Sequence, residues 1–350
     1  MADDPVPEAA VPPPSPEEEP AEAPSGSLPP AWPALARRAL VGLSRWMWLN
    51  AAVGAFGLWL LGVLFRDRWR ITAVCLFVPS LFVAAALVVA TVLALACRWR
   101  RLALASALLC IGPATSALVL ENRWVPRRTP AAGGERLRLV HWNVGEAAGD
   151  WGRMMAHLRA QRPDICVLSE MYRTDVATRM AAALGGDYRV CKLRRLAVIS
   201  RGETRVVMPE DRIRGRGYFV AWDSPAGPLT LLVVDLPTSY YQRGSLMAVR
   251  ERTGRHKPDI VVGDFNATRR TAALAHLPEG YAHAYDRAGW GWSATWPDAF
   301  ALWDLDHCIV GPRLRPLRYR VLPTGVSDHR LGVLDFALPA SDAPSDAGDP

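Results

Sequence analysis

Three long apolar runs without a single charged residue lie in the first third of the chain. They cover Trp46–Phe65, Ile71–Cys97 and Leu102–Leu120. At about 1.5 Å of rise per residue, each run is long enough as a helix to cross a hydrocarbon core of roughly 30 Å. Short basic connectors that contain tryptophan separate the runs, as expected at the level of lipid headgroups. The pattern predicts three transmembrane helices within a membrane region at 36–125. The alternative is a helical hairpin with the third run packed against it.

Polar segments without helical or strand periodicity flank this region and close the chain. Residues 1–35 form an acidic, Pro/Ala-rich tail, with seven acids and no Lys or Arg among the first thirty. This composition predicts disorder, because it buries too little apolar surface to offset the chain entropy. The tail also lacks the basic start and apolar centre of a signal peptide. Residues 126–136 are predicted to form a linker, and 339–350 a second disordered tail.

A domain with both helix and strand patterns occupies residues 137–338. Segments with apolar side chains on one helical face cover 150–160, 175–184 and 243–252. Short apolar runs with strand character cover 137–143, 164–170, 196–201, 218–222, 229–236, 260–262, 305–310, 318–323 and 331–338. Strands outnumber helices and the two types are interleaved, so we predict stacked β-sheets covered by helices.

Polar residues stand at the ends of five of these predicted strands. They are Asn143, Glu170, Asp264 with Asn266, Asp306 with His307, and Asp328 with His329. Each acid taken alone is explained as a turn former or a helix cap. Because strand ends meet at one edge of a sheet layer, the set as a whole indicates a common site.

Two carboxylates in this set suit a hard cation. Glu170 and Asp328 offer oxygen ligands to Mg²⁺, which binds one or two carboxylates and keeps several waters. The His and Cys residues lack the paired spacing of a zinc site. The six cysteines also give no sign of a disulfide framework.

The other residues of the set suit hydrolysis of a phosphate ester. Asp264 can take a proton from an attacking water, and Asn143 and Asn266 can donate hydrogen bonds to phosphate oxygens. His329 can act as a cation or an acid toward charge that develops on phosphorus. Asp306 can fix the tautomer of this histidine and raise its pKa. Positioning and electrostatics carry most of the catalysis in such reactions.

Five short motifs give the set a specific likeness. "WNV", "LSE", "GDFN", "LDH" and "SDH" occur in this order on the predicted strands. With them, nearly the whole domain resembles the endonuclease/exonuclease/phosphatase family, which has the deoxyribonuclease-I-like fold. The resemblance implies an α/β fold, a four-layer α/β sandwich of two mixed β-sheets flanked by helices, here preceded by three transmembrane helices. It also implies cleavage of phosphoesters with Mg²⁺, or alternatively Mn²⁺, as the cofactor.

The resemblance further implies a metal group and a catalytic group. The metal group consists of Glu170 as the main ligand, with Asn143 and Asp328 close to the ion. The catalytic group consists of Asp264, Asn266, Asp306 and His329. In it, Asp264 would activate the water, which Asn266 would orient, and His329 paired with Asp306 would stabilise the transition state.

Three further positions are predicted contacts to phosphate or substrate. The family usually has His or Tyr just after the strand at 229–236, where this chain has Asp235. An ionised Asp cannot donate a proton to phosphate, so either Asp235 binds metal or a neighbour such as Tyr240 takes over. Arg173 follows Glu170 by three residues and either contacts phosphate or simply faces solvent.

These features predict a membrane-anchored, Mg²⁺-dependent phosphoesterase that cleaves phosphodiesters in the manner of a nuclease. The first alternative is a phosphatase for lipid headgroups or inositol phosphates, and the second is a non-catalytic membrane protein that binds phosphorylated ligands. The expected partners are a phosphoester, either nucleic acid or phosphorylated lipid or inositol, and the lipid bilayer, with no obligate protein partner. Arginines near the spans number six on each side, so the positive-inside rule gives no orientation for this multi-pass protein. An extracytoplasmic domain is only slightly favoured.

Overall fold

The structure, a computed structural model, describes residues 31–125, 134–145, 150–208, 213, 216–239 and 241–338. The chain divides into two compact units, Met1–Met47 and Trp48–Pro350. Every contact discussed below lies within the second unit. Most of the two predicted tails and of the predicted linker lies outside the described residues, but a helix already begins at Ala31.

Four helices precede the β-sheets. They are α1 (Ala31–Phe65), α2 (Arg70–Leu76), α3 (Ser80–Ala96) and α4 (Arg100–Thr115), which continues as a π-helical turn, Ser116–Leu120. Two of the helical segments, Leu35–Phe65 and Arg100–Leu120, are long and apolar enough to cross a membrane. These two agree with the first and third predicted spans.

The middle predicted span, 71–97, is not one straight helix. It is broken into α2 and α3, which meet at an angle of 67°. The break falls at Pro79, the residue before α3, and proline removes a helical N–H and disfavours helix at the preceding residue. The bent pair makes a third span only if α2 and α3 together count as one.

Many large apolar side chains of the four helices are exposed. Ile71 is 75% exposed, and Leu104 and Leu108 are 62% and 59% exposed. A monomeric soluble protein rarely leaves apolar surface of this extent in contact with water. This exposed apolar surface favours association of the helices with a membrane.

Two six-stranded sheets follow the helices. The first sheet has the order β11-β12-β1-β2-β4-β3 and the second β5-β6-β7-β8-β10-β9. Each sheet contains one parallel pair, β1 with β2 and β7 with β8, and is otherwise antiparallel. The strands are β1 (Arg136–Asn143), β2 (Ile165–Ser169), β3 (Tyr188–Lys192), β4 (Leu196–Arg201), β5 (Thr204–Val207), β6 (Gly217–Ser224), β7 (Gly227–Asp235), β8 (Ile260–Asp264), β9 (Ala282–His283), β10 (Asp306–Val310), β11 (Arg315–Leu322) and β12 (Leu331–Ala337).

Helices cover the outer face of each sheet. They are α5 (Trp151–Gln161), α6 (Thr174–Leu184), α7 (Arg243–His256) and α8 (Ala272–Ala275), whereas the short α9 (Ala284–Ala288) contributes to the core between the sheets. One apolar cluster lies between the sheets, a second packs the first sheet against α5 and α6, and a third packs the second sheet against α7 and α8. The predicted arrangement of two mixed sheets between helices is confirmed.

The sequence pattern missed the short or half-exposed elements. Strands β3, β5 and β9 and helices α8 and α9 were not predicted. No residue of β5 is buried, and β9 has two residues, so neither carries a clear apolar period. The longer predicted elements are all present, with ends shifted by a few residues.

Candidate active site

The polar strand ends meet at one edge of the two sheets. Asn143 ends β1 and Asp264 ends β8, while Glu170 directly follows β2 and Asp235 is the last residue of β7. These four strands form the two parallel pairs, so their carboxyl ends point to the same edge. This edge of parallel strands is where ligands usually bind in α/β sheets.

Asp264 lies at the centre of the polar cluster and is fully buried. Its carboxylate accepts hydrogen bonds from Asn143 Nδ2 at 2.9 Å, from the Asn266 backbone N–H at 2.8 Å and from Asn266 Nδ2 at 3.1 Å. Burial, followed by the nearby Asp306 carboxylate, raises the pKa of Asp264 to about 8. The raised pKa makes the ionised Asp264 carboxylate a stronger base than an exposed aspartate.

The motif "GDFN" positions this carboxylate through its backbone. Gly263 has φ 138°, and a Cβ at this position would lie 1.9 Å from the Val234 carbonyl oxygen of the neighbouring strand. Only glycine fits this close approach. Phe265 is buried in the apolar cluster under α7, and Asn266 has a left-handed φ of 47°, which brings its amide back to Asp264.

Asp306 and His329 form a buried hydrogen-bonded pair. His329 Nδ1 is 2.7 Å from Asp306 Oδ2. Burial alone lowers the pKa of His329, but the Asp306, Asp264 and Asp328 carboxylates raise it to about 10. Burial alone would raise the pKa of Asp306, but the neighbouring His329 outweighs the effect of burial, so the pKa of Asp306 is lowered. Both shifts favour the charged forms of the pair, an imidazolium held by a carboxylate.

Backbone and side-chain contacts fix both members of this pair. Thr295 Oγ1 accepts hydrogen bonds from the backbone N–H groups of Leu305 and Asp306, at 3.0 and 3.1 Å. The Trp142 indole donates to the His329 carbonyl at 3.0 Å. These contacts hold the imidazolium toward Asp264 without involving either of its ring nitrogens.

Asp328 stands at the solvent side of the site. Its side chain is 59% exposed, and its Oδ2 accepts a hydrogen bond from Trp296 Nε1 at 3.1 Å. The same oxygen lies 4.0 Å from His329 Nε2. Asp328 is thus next to the catalytic pair, but it does not belong to either of the groups of converging ligand atoms found among the described residues.

Two groups of acidic or histidine side chains converge closely enough to share a cation. One consists of Asp264, Asp306 and His329, and the other of Glu170, Asp235 and Asp264; in each, one ligand atom per residue lies within 4.8 Å of the others. In the first group His329 already supplies positive charge. The second group contains carboxylates only, so it is the better match for a divalent cation.

The second group has unsatisfied acceptors that a cation would use. Both oxygens of Asp235 are buried and, among the described residues, have no hydrogen-bond partner. Burial raises the pKa of Asp235 to about 6, against the opposing effect of Arg195 and Arg216. Glu170 adopts a left-handed φ of 56°, a conformation that costs a non-glycine residue energy and turns its carboxylate toward the cluster. These three carboxylates fit a bound divalent metal.

Arg195 lies beside this group and was not predicted from the sequence. Its Nε is 2.8 Å from Asp235 Oδ2, and its Nη2 is 3.7 Å from Glu170 Oε1. The short contact to Asp235 is an ion pair rather than a hydrogen bond, because the Arg195 Nε–H is not aligned with the carboxylate oxygen. The guanidinium also lies 4.9 Å from the Tyr172 ring centroid. Only the position of Arg195 next to β4 could have indicated it, and many surface arginines share that context.

One predicted phosphate contact, Arg173, does not join the cluster, and another lies outside the described residues. Arg173 is 58% exposed and pairs with Asp175 at 3.3 Å. Tyr240 lies outside the described residues. A cavity of about 760 Å³ lies elsewhere, between the helices and the domain, and no predicted site residue lines it. The acidic cluster is therefore the candidate active site.

The sequence of this domain matches a known protein family. The model of the endonuclease/exonuclease/phosphatase family matches residues 140–329, which is more than half of the chain. The chain therefore belongs to the endonuclease/exonuclease/phosphatase family. No curated protein sequence matches it.

Solved structures of related fold are distant in sequence. A humanised TDP2 from D. rerio is 16% identical, with a TM-score of 0.48, over 57% of this chain and 98% of that one. A mannosyl-6-phosphatase from Bacteroides thetaiotaomicron is 14% identical, with a TM-score of 0.47, over 58% of this chain and 100% of that one. The assignment to the family rests on the family model.

Proposed function

We propose that the protein is a membrane-anchored, divalent-metal-dependent hydrolase of phosphoester bonds. One observation carries this proposal. The single buried carboxylate of Asp264 belongs both to the all-carboxylate group with Glu170 and Asp235 and to the group with the Asp306–His329 pair. A base between a cation site and an imidazolium is the arrangement that water attack on phosphorus requires.

Glu170 is the proposed main metal ligand, with Asp235 as its partner. Bound there, Mg²⁺ or Mn²⁺ would supply Lewis-acid stabilisation of charge on a phosphate oxygen. The sequence also predicts Asn143 and Asp328 near the ion; Asn143 is buried and donates to Asp264, whereas Asp328 lies at the exposed rim. Asp235 thereby has a role that differs from the His or Tyr usual at this position, and the reading of the protein as non-catalytic loses its only support.

The proposed reaction is a single hydrolytic displacement. Asp264 takes a proton from a water molecule while the water oxygen forms a bond to phosphorus and the ester P–O bond breaks. His329 hydrogen-bonds a phosphate oxygen through Nε2, because its Nδ1 is held by Asp306. The leaving alcohol oxygen takes a proton from solvent, and the products are an alcohol and a phosphate with one ester fewer.

Arg195 is the proposed phosphate-binding cation. A guanidinium binds phosphate oxygens with two parallel N–H groups, and Asp235 holds this one by its Nε so that the terminal nitrogens are available. Arg195 would thereby replace the hydrogen-bond donor to phosphate that an ionised Asp235 cannot provide. The predicted roles of Arg173 and Tyr240 stay untested predictions.

The apolar helices are the proposed membrane anchor. Two segments have the length and composition of spans, and their apolar side chains are exposed. A multi-pass anchor would hold the domain at a bilayer surface.

The test is hydrolysis of bis-p-nitrophenyl phosphate by the full chain in detergent with Mg²⁺. We expect turnover that chelator abolishes and that Asp264→Asn lowers by about 10²–10⁴-fold, the range for loss of a general base. Asp187→Asn is the matched control, because this aspartate is 63% exposed and far from the strand ends that form the site. Chelator-resistant turnover, or equal loss in both variants, would contradict the proposal.

A further inference from the structure

The break between α2 and α3 is bonded to the catalytic domain. We call Leu76–Pro79 the elbow. Because α2 ends there, carbonyl groups at its end need donors from outside the helix, and a bilayer offers none. Arg270 Nη2 donates to the Leu76 carbonyl at 2.7 Å, and Trp303 Nε1 donates to the Phe77 carbonyl at 2.8 Å. The domain thus satisfies the polar groups that the break exposes.

The other helix ends near the elbow are fixed in the same way. Arg270 also pairs with the Glu121 carboxylate at 3.0 Å, just beyond α4. The buried Arg269 donates to the Glu121 carbonyl at 2.7 Å, and Asp67, just beyond α1, accepts from the Ala272 backbone at 2.7 Å. Since all three contacts come from residues 269–272, the domain has one fixed orientation on these helix ends.

The segment that bonds to the helices also carries the catalytic residues. Residues 264–272 begin with Asp264 and Asn266 of the site and continue to Arg269 and Arg270 of the helix contacts. A small cavity brings Asn266 and Gln242 together with Leu76 and Phe77 of the elbow. The proposed base is therefore only a few residues and one thin layer of side chains from the elbow.

Two tryptophans form a second connection between the site and the elbow. Trp296 donates to Asp328 Oδ2, and its ring lies 5.4 Å from the ring of Trp303. The two residues also exchange backbone hydrogen bonds at 3.0 Å, and Trp303 reaches the elbow carbonyl of Phe77. The rim of the active site and the bend in the membrane region are thus separated by the width of two indole rings.

Residues 290–304, which we call the aromatic loop, present apolar side chains next to the spans. Phe300 is 62% exposed and stacks on Phe82 of α3 at 6.3 Å. Trp290 is 52% exposed and donates to the carbonyl of Trp124, which is itself 52% exposed. Exposed Trp and Phe beside the ends of apolar helices have the character of headgroup-level residues.

We propose that the substrate is a phosphoester carried by a membrane lipid, and that it reaches the site by diffusion within the bilayer surface. This rests on the proposed function. The aromatic loop and the elbow place the site rim at the headgroup level, where lipid phosphates are concentrated. A long polyanion such as DNA would instead have to approach along a surface that carries anionic lipids.

The charges near the site also favour a single phosphate group over a nucleic-acid backbone. Arg195, Arg216 and His329 are each within 4.0 Å of a buried carboxylate, and Arg173 pairs with Asp175. Duplex binding needs several cations free to neutralise successive phosphates. Arg195 and Arg216 share the Asp235 carboxylate, and His329 pairs with Asp306, so the described site has few cations for successive phosphates, which suits one headgroup.

The experiment uses the full chain reconstituted in phosphatidylcholine vesicles with Mg²⁺. Two substrate pairs separate lipid from free headgroup: phosphatidic acid against glycerol 3-phosphate, and phosphatidylinositol phosphate against the free inositol phosphate. Plasmid DNA and bis-p-nitrophenyl phosphate are assayed on the same vesicles. We expect the lipid member of at least one pair to be hydrolysed at least tenfold faster than its free headgroup and faster than DNA.

Variants of the aromatic loop test the mechanism of access. Phe300→Ser should lower lipid hydrolysis at least fivefold and leave bis-p-nitrophenyl phosphate within twofold, because its side chain lies at the surface and touches no site residue described here. Trp303→Phe, which removes the hydrogen bond to the elbow and part of the ring that packs on Trp296, should act in the same direction. Val206→Ser, on the edge strand β5 and 39% exposed, is the control and should change neither rate.

Two failures are distinguishable. Hydrolysis of DNA or of the free headgroups faster than of the lipids would overturn the lipid proposal and leave the proposed phosphoesterase in place. No turnover of any substrate, bis-p-nitrophenyl phosphate included, would overturn the proposed function itself. Equal loss of lipid and soluble activity in Phe300→Ser would contradict the role of the aromatic loop.

Discussion

Two buried aspartates on opposite sides of Asp264 each hold a cation, and they do so differently. Asp306 meets His329 in an aligned hydrogen bond of 2.7 Å, and its pKa is lowered. Asp235 meets Arg195 at 2.8 Å but out of alignment, and burial raises its pKa to about 6. The first pair is complete in charge and leaves one buried oxygen, Asp306 Oδ1, without a hydrogen-bond partner, whereas both oxygens of Asp235 lack one beside Glu170.

The difference assigns the two sides of the site to different tasks. A complete Asp–His pair keeps a charge fixed and oriented, which suits stabilisation of a transition state. An incompletely satisfied carboxylate next to another carboxylate suits a ligand that arrives from outside, namely a divalent cation. Substitutions on the two sides should therefore change different measured quantities.

The largest expected effect is on the complete pair. His329→Ala should lower kcat for bis-p-nitrophenyl phosphate by about 10²–10⁴-fold, because the imidazolium that faces the phosphate is lost. Asp306→Ala should come close to the same loss, and the double variant should add little, since the two residues act as a unit. His276→Ala, an exposed histidine, is the control. Additive losses in the double variant would contradict the pairing.

The next effect concerns metal affinity. Asp235→Asn should weaken Mn²⁺ binding to the full chain by about 10–100-fold in titration calorimetry, the range for residues that support a metal site. Asp306→Asn should change it by less than about threefold, because His329 already occupies that carboxylate. Equal effects of the two substitutions on Mn²⁺ binding would remove the distinction between the two pairs.

Arg195 should affect the substrate more than the metal. Arg195→Met should lower kcat/KM by about 10–100-fold, as expected when a charge-assisted hydrogen bond of about 1.5–3 kcal/mol is removed. Arg195→Lys should restore only part of the loss, because an ammonium cannot bind two oxygens in parallel. Mn²⁺ affinity should not fall in either variant. A loss of Mn²⁺ binding with unchanged KM would contradict the assigned role.

The smallest expected effect is that of Thr295, whose hydroxyl supports the backbone next to the Asp306–His329 pair. Thr295→Val leaves two buried backbone N–H groups without the hydroxyl that accepts from them, and should lower the free energy of unfolding by about 1–3 kcal/mol. Activity should fall less than tenfold, because the Asp306–His329 bond itself remains. Thermal unfolding monitored together with kcat checks this. A loss as large as that of His329→Ala would mean that Thr295 has a more direct role.

Some parts of the site and fold could be read from the sequence because they depend on local pattern. "GDFN" contains the glycine that the close approach of β7 to β8 requires and the asparagine that tolerates a left-handed backbone. The strand ends near Asn143, Glu170 and His329 also follow from apolar runs that stop abruptly. These features are written within a few neighbouring residues.

Other features depend on contacts between distant segments. Arg195 is one of many arginines until β4 and β7 place it against Asp235. The elbow was missed because the run 71–97 is apolar throughout, and Pro79 can be accommodated within a membrane helix. Its carbonyls bond to Arg270 and Trp303, roughly two hundred residues further on. No local pattern records such partners.

The most direct test of this account is to locate Mn²⁺ by anomalous X-ray diffraction in crystals of the full chain. The account predicts one ion bound to the carboxylates of Glu170 and Asp235, facing Asp264, and no ion between Asp306 and His329. Asp235→Asn crystals under the same conditions should show reduced occupancy. An ion at the Asp306–His329 pair, or none near Glu170 at saturating Mn²⁺, would contradict the division of the site into a metal side and an imidazolium side.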